Sequence, residues 1–237
     1  MSARVAAVVG VGPGLGAAVA RRFAREGYAV ALLARREESF APVAAAIEAA
    51  GGRALGVPGD ATDPAAVRAA FARVRETLGT PEVLVYNAGA FAMAPVVDIA
   101  PDDFERCWKT GCFGAFLAVK ETVPAMVAAA RGTVLLTGAT ASLRGSANFA
   151  CLAVGKFGLR ALAQSLAREV GPRGVHVAHV VVDGVIDTPR IRHLLPDRPT
   201  STLLAPDALA ETYWQLHVQD PTAWTLEIDV RPAVEKF

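Results

Sequence analysis

Short runs of small and β-branched apolar residues recur along the chain, each followed by a stretch with helical spacing. Val5–Val9 (VAAVV), Ala29–Ala34 (AVALLA), Ala54–Val57, Glu82–Tyr86, Thr133–Thr137 and Val175–Val182 predict six strands. Unbroken apolar runs of this kind suit strands covered on both faces, as in a parallel sheet. Helices are predicted from Leu15 to about Glu26, after Arg35-Arg36-Glu37-Glu38 to about Ala50, and from Asp63-Pro64 onward. In the last of these, Val67, Ala70, Phe71, Val74 and Leu78 keep one face apolar. A long helix is predicted from about Phe104 to Ala130 behind an Asp102-Asp103 cap, and another ends at Val170. Gly27, Gly51-Gly52 and Gly171-Pro172 serve as stops. After Asp183-Gly184, Pro189, Pro196, Pro199 and Pro206 predict an irregular insertion, about 187–206. A helix from Asp207 to about Val218 and a strand from Trp224 to Val230 close the pattern. Strands alternating with helices at this spacing imply right-handed crossovers. The expected fold is α/β, a doubly wound sheet of about seven parallel strands with helices on both faces, in a single domain over 1–237.

The turn between the first strand and helix carries Gly10, Gly12, Gly14 and Gly16, with Leu15 opening the helix. Glycine there lets a pyrophosphate approach the helix N-terminus, where free N–H groups favour an anion. A tight turn in any α/β protein also uses glycine. Its place at the first strand-to-helix junction favours a Rossmann-type dinucleotide site. The crevice then lies at the carboxyl ends of the strands, and the 187–206 insertion is the natural substrate lid.

Composition narrows the classes further. The chain has 237 residues, 53% hydrophobic and 20% charged, which allows a large core and argues against disorder. A formal charge of +1 without a basic stripe argues against nucleic acid or an anionic membrane as partner. No apolar run is read as approaching the ~18 residues of a membrane span. Met1-Ser2-Ala3-Arg4 enters the first strand without a signal-peptide pattern. Cys107, Cys112 and Cys151 lack CxxC spacing, which fits buried thiols in a reducing cytoplasm. His176 and His179 point to opposite faces of a strand, and His193 and His217 lie far off, so no metal site is expected.

Four features together resemble the short-chain dehydrogenase/reductases over essentially the whole chain: Gly10, Gly14 and Gly16 in the turn; Asp60 after the third strand; Asn87-Ala88-Gly89 after the fourth; and Lys156 with the helix KFGLRALAQSLAREV. The resemblance implies that Asp60 and Ala61 hold the adenine, that Lys156 holds the ribose, and that the backbone and hydroxyl around Val185 and Thr188 meet the nicotinamide carboxamide. It also implies a Ser-Tyr-Lys set with an asparagine, in which the tyrosine is the acid/base. Those positions read Ala139, Leu152 and Gly111, and only Lys156 is retained. No Tyr-x-x-x-Lys exists elsewhere, since Tyr28, Tyr86 and Tyr213 are followed four residues on by Leu32, Ala90 and His217. The chain resembles an atypical branch of the superfamily.

The acid that would grip a ribose 2′-hydroxyl is replaced by Ala34, and Arg35 follows it. Arg35 either clamps a 2′-phosphate or is a solvated arginine at a helix start; the first reading favours NADP(H) over NAD(H). Thr140, beside the lost serine, is a candidate substrate contact. Asp183 stands where the family has proline, either as a turn former or as a substitute acid/base, and Asp-Gly favours the turn. The resemblance implies that the alanine-rich helices from about Phe104 and about Cys151 pair between subunits of a homodimer or homotetramer; buried core is the competing reading. Three functions are compatible with these residues. The first is an NADP(H)-dependent oxidoreductase acting on a carbonyl or alcohol without the tyrosine. The second is a catalytically inactive NADP(H) sensor or partner subunit. The third is a non-redox cyclase or isomerase using a crevice emptied at Leu152, Ala139 and Gly111.

Overall fold

Every apolar run of the first half becomes a strand of one sheet in the computed structural model, which describes residues 4–235. In chain order the elements are β1 (Val5–Val9), α1 (Leu15–Arg25), β2 (Ala29–Ala34), α2 (Glu37–Ala49), β3 (Arg53–Pro58), α3 (Pro64–Thr77) and β4 (Val83–Tyr86). There follow α4 (Pro101–Trp108), α5 (Gly114–Ala128), β5 (Gly132–Thr137), α6 (Ala150–Val170) and β6 (Val175–Val182). The last are β7 (Val185–Ile186), α7 (Pro189–Leu194), β8 (Leu203–Leu204), α8 (Pro206–His217) and β9 (Glu227–Val230). Seven strands pair in the order β3-β2-β1-β4-β5-β6-β9. Every pairing is parallel. Two apolar layers cover the sheet, one built on Leu84, Leu136 and Leu159, the other on Phe23, Leu32 and Tyr213. The order reverses between β1 and β4, so a crevice opens at their carboxyl ends.

Local chemistry sets the boundaries. Asp63 Oδ1 accepts from the amides of Ala65 and Ala66 at 2.7 and 3.3 Å, a side-chain cap with Pro64 at the first helical position. Gly27 and Gly51 end α1 and α2 with φ of +83° and +80°.

Three expectations need correction. The long helix starts at Pro101, because proline is pre-set for the first turn and Asp102 and Asp103 then sit in that turn, favoured by the dipole. It is also interrupted, since Lys109–Phe113 form a π-helical segment between α4 and α5. The 187–206 insertion is not wholly irregular. Thr188 Oγ1 accepts from the Ile191 amide at 3.2 Å and caps α7 ahead of Pro189, while β7 pairs with β8. Finally, Pro101–Ala128 is long and apolar enough by length and composition to cross a membrane, although half of its most apolar window is buried inside the fold. Met1, Ser2 and Ala3 lie outside the described residues.

At the opposite end of the sheet from the crevice, His217 links two elements. Its Nε2 lies 2.6 Å from the Tyr28 hydroxyl and its Nδ1 2.9 Å from Thr133 Oγ1. Burial, helped by Arg4, His176 and Arg131, pushes its pKa down to about 4. Below its ordinary value near 6.5 the unfolded chain takes up a proton that the native state refuses. Stability from this site is therefore complete above about pH 6.5 and falls as pH drops towards 4. Urea unfolding across that window is expected to lose about 3 kcal/mol, and His217→Gln is expected to flatten the dependence.

Candidate active site

The glycine turn is shaped by contact between β1 and β4. Gly10 has φ +91°, and a Cβ there would lie 2.3 Å from the Ala88 amide nitrogen. A Cβ on Gly16 would lie 2.6 Å from the Gly10 carbonyl oxygen. Asn87 Nδ2 donates to that same oxygen at 2.9 Å, so Asn87 ties the end of β4 to the turn. Leu15 is buried at the start of α1. Gly14 packs closely on the Thr188 methyl, whereas nothing lies within 4 Å of a Cβ on Gly12. The turn and the Val185–Thr188 segment thus face each other, and the steric demand falls on Gly10, Gly14 and Gly16.

Beside the turn is a cavity of about 250 Å³. Its walls include Gly10, Arg35, Asp60, Ala61, Asn87, Ala88 and Gly89. The structure therefore brings seven of the expected cofactor residues to the lining of one cavity. Asp60 also forms its local turn, its Oδ1 accepting from Thr62 N and Oγ1 at 2.8 Å each. Arg36 and Ser39 line the cavity next to Arg35 and were not singled out in the sequence. Their signal was the β2–α2 junction itself, which presents the first turn of α2 to the crevice.

Lys156 lies just beyond this cavity. Its Nζ donates to the Thr137 carbonyl at 2.6 Å and lies 3.9 Å from the Cβ position of Gly89. The side chain is buried, and desolvation lowers its pKa to about 8.

Thr140 and Asp183 come together across the ends of β5 and β6, with Thr140 Oγ1 donating to Asp183 Oδ1. Asp183 Oδ2 lies 3.6 Å from Arg231 Nη1, and Arg231 also pairs with Asp229. Arg231 was not anticipated, because its relation to Asp183 exists only through the β6–β9 pairing. The same pairing builds a second network: Arg160 holds Glu227 through two bonds of 2.7 Å, and Glu227 Oε2 lies 2.9 Å from His179 Nδ1. Arg160 draws the Glu227 carboxyl below its usual range, and burial lowers His179.

The three tyrosines are engaged elsewhere. Tyr86 donates to the Thr110 carbonyl at 2.7 Å, Tyr213 shares a 2.7 Å bond with Thr137 Oγ1, and Tyr28 meets His217. All three are buried, and desolvation raises each phenol pKa. Cys151 and Cys107 are buried and Cys112 half-buried, with burial raising the thiols of Cys107 and Cys112. Among the described residues no cluster fits a metal ion.

The expected room at Gly111 is not open space. Gly111 is buried, and a Cβ there would lie 3.2 Å from Gly155 Cα. Glycine facing glycine lets the π-helical segment and α6 approach backbone to backbone, so the helices occupy the volume that a larger side chain would leave.

Comparison with known proteins places this architecture. A model of the short chain dehydrogenase family matches residues 4–199. A short-chain dehydrogenase/reductase of Armillaria gallica is 34% identical over 193 residues, covering 80% of this chain and 74% of that one. The crystal structure of a short-chain dehydrogenase from Rhodopseudomonas palustris superposes with a TM-score of 0.82 at 38% identity, covering 97% of this chain and 98% of the other. A metagenomic short-chain oxidoreductase in complex with NADP gives a TM-score of 0.85 at 28% identity over 99% of both chains. The chain belongs to the short-chain dehydrogenase/reductase family, and its general activity class is that of an oxidoreductase.

Proposed function

We propose that this chain is an NADP(H)-dependent oxidoreductase that exchanges hydride with the carbon of a polarised double bond, a carbonyl or its nitrogen counterpart, without a tyrosine acid. The observation that carries this reading is the Lys156 ammonium. It is buried beside Gly89, and its bond to Thr137 uses one of its three donors. An ammonium kept in that position at the cost of desolvation is suited to ribose hydroxyls. The Gly10–Gly16 turn would hold the pyrophosphate, Asp60 and Ala61 the adenine, and Val185 and Thr188 the carboxamide. Bound NADPH supplies the hydride. Thr140 and Asp183 would meet the substrate.

Arg35, Arg36 and Ser39 together on the cavity wall support a 2′-phosphate, as does the NADP-bound relative. Replacing Arg35 with alanine is expected to weaken NADPH binding about 10- to 100-fold and to leave NADH within about threefold. Fluorescence titration of both cofactors checks this. Equal losses for the two would show that Arg35 does not read the phosphate.

A second reading is a non-catalytic NADP(H)-binding subunit, favoured by Leu152 and by the commitment of every tyrosine elsewhere. NADPH oxidation across a panel of ketones, aldehydes and imines separates the two; tight binding without turnover supports the second. A third, a cyclase or isomerase in an emptied crevice, loses its support at Gly111.

Exposed Phe104, Trp108 and Phe116 on α4 and α5, with Val154 and Phe157 on α6, are read as the face of a homodimer or homotetramer. A cytoplasmic setting without membrane or nucleic-acid partners accords with this reading.

A further inference from the structure

We propose that Thr140 and Asp183, backed by Arg231 and Asp229, form a hydrogen-bond-accepting subsite for a positively charged nitrogen, so that the substrate is an iminium ion or, in the reverse direction, the corresponding amine rather than a ketone or alcohol. The proposal rests on the NADP(H) reading above and narrows its substrate.

The direction of one hydrogen bond sets what the pair offers a ligand. Thr140 Oγ1 donates its only proton to Asp183 Oδ1. A hydroxyl has one donor and two acceptor lone pairs, and an ionised carboxylate only accepts. What this pair offers a ligand is therefore acceptors. A carbonyl oxygen, itself an acceptor, finds no donor in the pair, whereas an N–H or a cationic nitrogen is complemented. Leu152 and Ala139 supply no donor from their side chains. Lys156 is the nearby cation to weigh against this, and its ammonium is held by the Thr137 carbonyl beside Gly89.

Charge balance also favours a cationic ligand. Asp183 and Asp229, with side chains 14% and 31% exposed, share the guanidinium of Arg231. Those three side chains sum to one negative charge. A carboxylate this withdrawn from water is stabilised by further positive charge. Asp183 is also well placed to provide it with a site. It follows β6 directly, and Ile186 and Thr188, a few residues on, pack against Gly14 of the cofactor turn.

Proton balance points the same way. Hydride addition to a ketone carbon breaks the C=O π bond and leaves an alkoxide, which must collect a proton. Addition to an iminium carbon breaks the C=N π bond and leaves a neutral amine, with its electron pair on nitrogen and no proton required. A site without a tyrosine acid suits the second reaction. Its counter-charge would act through a preorganised carboxylate.

The test pairs two ligands of one bicyclic shape, N-methyl-3,4-dihydroisoquinolinium and 1-tetralone, with the whole chain and NADPH. The expected result is a kcat/KM about 100-fold higher for the iminium. Calorimetry with NADP+ present is expected to show N-methyltetrahydroisoquinoline, cationic at neutral pH, binding at least about tenfold tighter than 1-tetralol. Asp183→Asn is expected to remove about 100-fold of the iminium turnover and the calorimetric preference, with NADPH binding confirming that the variant folds. Thr140→Val, which keeps the carboxylate, is expected to cost about tenfold. Equal or faster reduction of the ketone, or an unchanged Asp183→Asn, would overturn the proposal. So would NADPH binding with neither ligand bound nor reduced, which would leave the non-catalytic reading. Failure to bind NADPH at all would remove the cofactor reading itself, a separate result.

Discussion

Replacing Lys156 with methionine is expected to weaken NADPH binding about 100-fold while making the free protein more stable by about 3 kcal/mol at neutral pH. The two effects have one cause. The ammonium is buried against the Thr137 carbonyl, and desolvation holds its pKa near 8, well below its ordinary value near 10.5. In the native state the charged form is penalised, whereas in the unfolded chain it is not. Between pH 8 and 10.5 the unfolded chain keeps a proton that the native chain has released, so wild-type stability rises with pH through that window. Below pH 8 the full penalty applies. Methionine fills a similar volume without a charge, so the variant should lack this pH dependence. Urea unfolding from pH 7 to 10.5 and fluorescence titration with NADPH measure the two halves. A variant that is less stable than wild type at pH 7 would mean that the lysine is a structural anchor rather than a strained ligand.

Gly10→Ala is expected to cost about 3–5 kcal/mol, a large part of the stability of an ordinary domain. The residue has φ +91°, where a side chain is strained by about 1–2 kcal/mol. Its new Cβ would also lie 2.3 Å from Ala88 N and 2.6 Å from Ala88 Cα, both backbone atoms that cannot rotate away. Relief requires the carboxyl ends of β1 and β4 to separate, which also breaks the Asn87–Gly10 bond. Gly12→Ala is the control. Nothing lies within 4 Å of its Cβ, so its cost should stay below about 1 kcal/mol. Urea midpoints at constant slope compare the two. Similar costs for both would mean that the turn is not built on backbone contact.

Much of the fold was legible because its signals are local. VAAVV, AVALLA and VHVAHVVV are buried strands on composition alone, and β1, β2 and β6 have the bounds their apolar runs give. Asp63-Pro64 carries its own cap chemistry, and Thr188-Pro189 carries the same signal, which four prolines in the insertion obscured. The π-helical segment was not legible. Nothing in KTGCF distinguishes it from α-helix, and it is held by Tyr86 on the Thr110 carbonyl and by Gly111 against Gly155.

The candidate site divides in the same way. Gly10, Asp60 and Asn87 could be placed because each follows the end of a strand whose position in a doubly wound sheet is fixed by chain order, and Lys156, within α6, because KFGLRALAQSLAREV resembles the family's lysine helix. Those residues, with the absence of a tyrosine before Lys156, were determined by the sequence itself. What the tertiary structure decided is the company each residue keeps. Asp183 and Arg231, or His179 and Glu227, are 48 residues apart in the chain. They meet because β9 pairs in parallel with β6 in one register, with His179 opposite Glu227 and Val182 opposite Val230. Whether Asp183 is a plain turn former or an anchored carboxylate depends on two pairings, β5 with β6 for the bond from Thr140 and β6 with β9 for Arg231. A side chain's identity is local, but its protonation, bonding direction and burial are properties of neighbours that only folding brings within reach.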